Sequence, residues 1–275
     1  MNVETIQRQY DEIVAPHYDL DPQSVTNRSL DRAVEQIRKE QFFGDGSTRL
    51  KVYDVGAGTG LFLMKLIALG GEQIQPFALD LSAQMLANAQ RKMPDLAAAV
   101  DDGANLDAHF HDELFDLIST HFITGFVPMN VLAAKIWDRL NYGGYWSFMG
   151  ASKEAYPALQ AKANSKFLRW WTGTGGNLAI EDYVTIPCGR EEVVKTLESH
   201  GFEICAVETF KPVLTFRNFD DFMDFGYRGG WLTPFIEGLG LHKAGFLTRW
   251  ILNTFFFPIN DHHTIEIALA QKGKK

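Results

Sequence analysis

The chain has 275 residues and a formal charge of −8 with no cluster of basic residues, a balance that excludes an electrostatic footprint for nucleic acid. That length suits one large domain with a sizeable core and insertions. Only Cys188 and Cys205 are present, far apart and without metal-ligand spacing, and the first residues lack a basic stretch followed by an apolar core. Neither a disulfide nor a secretory leader is expected, and a cytoplasmic location is.

Residues 1–45 read as a helical lid, with Leu30, Ala33, Val34 and Ile37 at helical spacing before the Gly-Asp-Gly-Ser loop at 44–47. Residues 46–150 follow as a regular core. Its first strand, 52–55, is short, apolar and β-branched, and runs into Gly56, Gly58 and Gly60 before a helical pattern carried by Phe62, Leu66 and Leu69. Gly70-Gly71 ends that helix. A second strand occupies 76–81, Ser82 caps a helix through Met85, Leu86 and Ala89, and strands follow at 97–100, 114–120 and 145–149. Between the last two lie a helix carrying Leu132, Ile136 and Leu140 and a turn at 141–144. Strands alternating with helices predict a parallel sheet covered on both faces.

The glycine loop is a strand-to-helix turn at which a nucleotide-like ligand can approach backbone amides. Its glycines do not follow G-x-G-x-x-G, since Leu61 stands where that fingerprint needs the third glycine. Asp54 at the loop's mouth would repel a diphosphate and could pair with an ammonium group. Asp80, twenty residues beyond Gly60, ends the second strand where a carboxylate can accept both ribose hydroxyls, or else cap the helix after Ser82. An adenosine joined to an amino acid fits both acids.

These residues resemble the class I S-adenosylmethionine (SAM) dependent methyltransferases. Val-Tyr-Asp-Val-Gly-Ala-Gly-Thr-Gly at 52–60 is similar to their first motif, Ala-Leu-Asp-Leu-Ser at 78–82 to their second, Asp-Gly-Ala-Asn-Leu at 102–106 to the segment whose acid meets the adenine amino group, and Phe-Asp-Leu-Ile-Ser-Thr-His at 115–121 to their fourth. The resemblance implies SAM as cofactor, held by Asp54, Gly56, Ala57, Gly58, Gly60, Asp80, Leu81, Met85, Asp102, Gly103, Ala104 and Thr120. Asp102 is also a turn residue by its surroundings. Residues 10–19 resemble the opening of the ubiquinone-pathway-like members, which makes Tyr10 and Tyr18 candidates for covering the cofactor; both also suit a helix anchored to the core. The fold implied is α/β: a Rossmann-like seven-stranded, mostly parallel sheet with an antiparallel last strand, helices on both faces, and a cap from the N-terminus and two insertions.

The first insertion, 151–189, contains Trp170, Trp171 and a glycine-rich run at 172–176; the core resumes over 190–210 with a helix on Val193, Val194 and Leu197, Gly201 at its end and a strand at 202–207. The second insertion, 211–260, is rich in aromatic residues, among them Phe219, Phe222, Phe225, Tyr227, Trp231, Phe235, Phe246, Trp250 and 255–257, and precedes a last strand and tail, 261–275. Such aromatic surface suits a pocket for a small hydrophobic acceptor. It equally suits packing against the sheet, a homodimer contact, or, around Trp250 and Arg249, a peripheral membrane contact. The run 246–259 is too short, and carries Arg249, to span a bilayer.

A sulfonium methyl is already activated, so alignment and water exclusion are the main demands on the protein. Should the acceptor need a base, the resemblance puts His121 first, with His17 second and Tyr18 as a further candidate; for a cationic intermediate, Glu154 or Asp182 would serve. No metal is expected, the His-Phe-His-Asp run at 109–112 and the Asp-His-His run at 261–263 being read as solvated loops. The function expected is methyl transfer to a small, fairly hydrophobic molecule; the alternatives are a catalytically silent SAM-binding sensor or assembly protein, and a nicotinamide oxidoreductase, which the glycine spacing and Asp54 disfavour.

Overall fold

A computed structural model describes residues 3–164 and 189–273. The expectations for Trp170, Trp171, residues 172–176, Asp182 and Cys188 lie outside the described residues.

The apolar runs of the core form a seven-stranded sheet in the order β3-β2-β1-β4-β5-β9-β6. Its strands are β1 (Leu50–Val55), β2 (Ile74–Asp80), β3 (Ala97–Val100), β4 (Phe115–His121), β5 (Leu140–Ala151), β6 (Phe202–Phe210) and β9 (Ile265–Lys272). The first five pair in parallel, and β9 is antiparallel to both β5 and β6. Because β1 is bonded to β2 on one side and β4 on the other, the chain order reverses at β1/β4, and a crevice opens at their carboxyl ends.

Alternation along each strand feeds two cores. Val52, Leu117, Met149 and Ile267 face one side with Ala33 and Ile37 of α2 (Val25–Lys39) and Leu63 and Leu66 of α3 (Leu61–Gly70). Tyr53, Val55, Ile118, Trp146 and Phe148 face the other with Leu132 and Ile136 of α5 (Met129–Arg139) and Val193 and Leu197 of α7 (Arg190–Ser199). Ser82 caps α4 (Ala83–Lys92) by accepting from the Met85 amide at 3.1 Å, as the sequence predicts.

Three features differ from the sequence reading. The 141–144 stretch is not a turn: β5 begins at Leu140 and absorbs Gly143, at φ +81°, where the β4–β5 register slips. Gly144 there lies so close to the Asn141 and Phe115 carbonyls that a Cβ would stand 2.9 and 3.0 Å from their oxygens, so a bulge needs the residue that a turn would also favour. A two-stranded ribbon, β7 (Val213–Phe216) with β8 (Ile259–His262), closes the second insertion and was hidden among its aromatics. His121 is the last residue of β4 rather than part of the loop beyond it.

Above the strand ends lies a cap built from distant pieces. The N-terminal part is α1 (Val3–Gln9) and a π turn at Tyr10–Val14, closed by the Ala15 amide on the Tyr10 carbonyl. The insertions add α6 (Pro157–Ala163), α8 (Phe219–Met223), α9 (Thr233–Gly238) and α10 (Phe246–Ile251). Glu237 of α9 joins the pieces, accepting from Arg8 (3.0 Å), Gln9 (2.5 Å) and Tyr227 (3.0 Å).

Candidate active site

The glycine loop after β1 takes conformations that side chains resist: Gly56, Gly58 and Gly60 have φ of +77°, +56° and +78°. It is tied to β2, where the Leu79 carbonyl accepts from the Gly56 and Ala57 amides. At Gly60 the reason is packing. A Cβ there would lie 2.4 Å from Met93 Cε and 3.1 Å from Ala89 Cβ, so α4 approaches only because the residue is glycine.

Two carboxylates sit beside this loop. Asp80 accepts from the Gly58 amide (2.7 Å) and the Ser82 amide (2.8 Å), yet burial pushes its pKa up to about 6. Asp54 is 2% exposed; the Ser119 hydroxyl donates to it at 2.6 Å, and burial raises it to about 7. Hydroxyl and backbone N–H partners hold both, a setting in which a cationic or hydroxylated ligand has something to gain. Asp102 caps the 3₁₀ turn Gly103–Ala108 by accepting from the Ala104 amide at 2.8 Å, and the bond uses only one of its two carboxylate oxygens.

The N-terminal segment is strapped over the loop. Asp11 accepts from the Ser82 hydroxyl (2.6 Å) and the Gln84 amide (3.0 Å), at the N-terminus of α4 where a negative charge is favoured. Asn88 donates to the Ala15 carbonyl (3.1 Å), and Asp19 accepts from Thr59 and Lys92, each at 2.5 Å. These bonds place Tyr18 against Gly58, where a Cβ would stand 3.8 Å from the Tyr18 ring, and Tyr10 edge-on to Phe126. Burial raises the pKa of both phenols, so neither releases its proton readily.

A single cavity of about 270 Å³ connects this region to the cap. Of the expected cofactor residues, Tyr10, Tyr18, Gly56, Gly58, Asp80, Leu81, Met85, Asp102 and Gly103 line it. Asp54, Ala57, Gly60, Ala104 and Thr120 do not. Asp54, Ala57 and Gly60 shape the loop from behind. Thr120 points away from the cavity and accepts from the Trp146 indole N–H at 2.8 Å, as the strand alternation after Ser119 requires.

Among the proposed bases, His121 lines the cavity. Its Nε2 meets the Ser147 hydroxyl at 2.9 Å, its Nδ1 has no partner among the described residues, and burial lowers its pKa to about 3. The ring is therefore neutral and weakly basic, a hydrogen-bonding group better than a proton acceptor. His17 is not a cavity wall; its Nδ1 meets the Ile13 carbonyl at 2.9 Å.

The far wall comes from the insertions, with Phe122, Tyr156, Trp231, Phe235 and His263 as its rings. Phe122, at φ +61°, holds a left-handed conformation costly for a bulky residue, and its ring meets Trp231 edge-on at 4.7 Å. Sequence reasoning identified Trp231 and Phe235 through aromatic density but missed Tyr156. The 261–263 stretch is not a solvated loop: Asp261 and His263 are 6% and 1% exposed. Asp261 caps α6, accepting from the Ala158 (3.2 Å) and Leu159 (2.7 Å) amides, and His263 enters the cavity. At 109–112, His109 is engaged with Asp101 at 2.8 Å. The other aromatics divide: Phe219, Phe222 and Phe225 are buried, whereas Phe246, Trp250 and Phe255 are 85%, 52% and 63% exposed.

The family model for a methyltransferase domain matches residues 52–144, from β1 to the bulge in β5. No curated protein matches the chain in sequence. Among solved structures, the YcgJ protein of Bacillus subtilis is similar at 15% identity and TM-score 0.55, with 88% of this chain and 99% of that one covered. A protein assigned as a methyltransferase from Bacillus halodurans C-125 is similar at 15% identity and TM-score 0.54 over 86% and 98% of the two chains. The [4+2]-cyclase SpnF is similar at 18% identity and TM-score 0.52 over 90% and 81%. Residues 52–144 are thus a class I SAM-dependent methyltransferase domain, and the sheet around them has the methyltransferase fold.

Proposed function

We propose that this protein transfers the methyl group of SAM to a small, largely apolar acceptor bound between the glycine loop and the cap. The observation that carries the reading is the continuity of the cavity, which runs from Gly58, Asp80 and Asp102 past His121 to Trp231 and Phe235. Apolar walls with a few placed polar groups are the usual make-up of small-molecule sites. The glycine cradle and the buried carboxylates fit SAM, which supplies an activated sulfonium methyl. Asp80 is the group for the ribose hydroxyls, Gly58 leaves room for close approach, and Tyr10 and Tyr18 exclude water from above. With His121 neutral, the site favours positioning over proton abstraction.

The second reading is a SAM-binding protein with other chemistry, since SpnF shares the fold and is a cyclase. Calorimetry with SAM and S-adenosylhomocysteine tests the cofactor: micromolar binding by the wild type, lost in Asp80→Ala, is expected. Release of S-adenosylhomocysteine when apolar phenols, amines or carboxylates are added then separates methyl transfer from silent binding.

A further inference from the structure

His263 and Tyr156, on the acceptor side of the cavity, are buried polar groups left without a partner among the described residues. His263 is 1% exposed, and neither of its ring nitrogens has a hydrogen-bond partner among the described residues; Tyr156 is 3% exposed, and its hydroxyl has none there either. Both line the cavity. Buried polar groups are almost always bonded, so two unpaired ones on side chains that line one cavity call for an explanation. The two rings are inclined to each other by 30° with centroids 4.6 Å apart, and Trp231 meets the His263 ring edge-on at 4.8 Å.

Their placement is built rather than incidental. The His263 amide donates to the Pro212 carbonyl (3.1 Å) and the Tyr156 amide to the His262 carbonyl (2.9 Å), which locks the return of the second insertion against the start of α6. Tyr156 is held at φ +58°, a left-handed conformation for a bulky aromatic residue. The Asp261 cap on α6 fixes the same junction.

We infer that His263 and Tyr156 form a polar anchor for the acceptor, selecting a largely apolar molecule that carries an uncharged hydroxyl or carbonyl group, with Trp231 against its body. Burial lowers the His263 pKa to about 3 and raises that of the Tyr156 phenol, so both groups are neutral at physiological pH. A neutral imidazole offers one donor and one acceptor, and a phenol offers both. Such a pair satisfies a hydroxyl or a carbonyl and leaves the charge of a carboxylate uncompensated. The inference rests on the methyltransferase reading for the location of the acceptor and goes beyond it in naming what the acceptor must carry.

The test uses the full chain saturated with S-adenosylhomocysteine and three probes of one shape: 2-naphthol, 2-methylnaphthalene and 2-naphthoate. Calorimetry is expected to show 2-naphthol binding the wild type at least about tenfold more tightly than either of the others, the scale of one or two satisfied hydrogen bonds. In His263→Phe and Tyr156→Phe that preference falls to about twofold or less, while 2-methylnaphthalene binds as before or better. Thermal melting and S-adenosylhomocysteine affinity report whether each variant is folded with its cofactor half intact; His263→Gln, which keeps a donor and an acceptor, is expected to retain part of the preference. Equal binding of the probes by the wild type, tighter binding of the carboxylate, failure of all three to bind, or a preference unchanged in all the variants would overturn the anchor. Failure of S-adenosylhomocysteine to bind the wild type would instead overturn the cofactor reading.

Discussion

Replacing Asp54 by Asn should make the ligand-free protein less sensitive to alkaline pH. The carboxylate is 2% exposed, has the Ser119 hydroxyl as its hydrogen-bond donor, and is pushed by burial from an ordinary 3.8 to about 7, with nearby Asp80 adding to the rise. Between pH 4 and 7 the folded protein therefore keeps a proton that the unfolded chain has released. Stability falls as pH rises through that window, by about 1.4 kcal/mol per pH unit and about 4 kcal/mol in total, because ionising the group is easier once it reaches water. Asn does not titrate. Whatever fixed offset the amide brings through its own hydrogen bonds, the stability of Asp54→Asn relative to wild type should improve by about 3 kcal/mol between pH 5 and pH 8. Urea unfolding of both proteins at pH 5, 6.5 and 8, without cofactor, measures that difference, and groups common to both proteins cancel. A difference that stays constant across the three pH values would refute the argument, because Asp54 would then be solvated or already charge-compensated in the folded state.

Gly60→Ala should lower stability by roughly 2–4 kcal/mol, combining a left-handed backbone with a Cβ pressed on Met93 and Ala89. Gly44→Ala, equally left-handed but in open space, should cost only about 1–2 kcal/mol, and equal melting losses in the two variants would sink the packing argument. Asp11→Ala removes the acceptor for the Ser82 hydroxyl and the Gln84 amide, so the N-terminal strap should loosen and S-adenosylhomocysteine affinity should drop about tenfold, with global unfolding little changed. Calorimetry showing undiminished affinity would mean that the strap does not cover the cofactor.

The glycine-loop side of the cavity was legible because its constraints are local. A glycine loop, an acid at a strand end and a helix cap each leave a mark within a few residues: the loop glycines take the tight left-handed turn and Ser82 caps α4, as their positions suggest. Thr120 shows the limit of motif transfer. Its neighbour on the next residue faces the cavity, and a one-residue step along a strand sends a side chain to the opposite core. The cap side of the cavity was only half legible, because aromatic density marks a pocket wall and a packed interior in the same way. Trp231 lines the cavity whereas Phe219 is buried in the insertion, and nothing local in the sequence separates them. His263 was hidden for a different reason: its surroundings in sequence are polar, and only the pairing of β7 with β8 and the capping of α6 draw the stretch inside.

Phe210, where β6 ends, is paired directly across the sheet with Ile265, where β9 begins. Residues 211–264 therefore depart from and come back to one rung of the ladder, and the register of the sheet is indifferent to what they contain. Closing a loop costs only slightly more as it lengthens. Another excursion, longer or shorter, could be grafted onto the same rung with the glycine loop and its acids left untouched. A substitute would have to meet not only Arg8 and Gln9 of the N-terminal strap but also the start of α6, which Asp261 caps and where the Tyr156 amide donates to the His262 carbonyl.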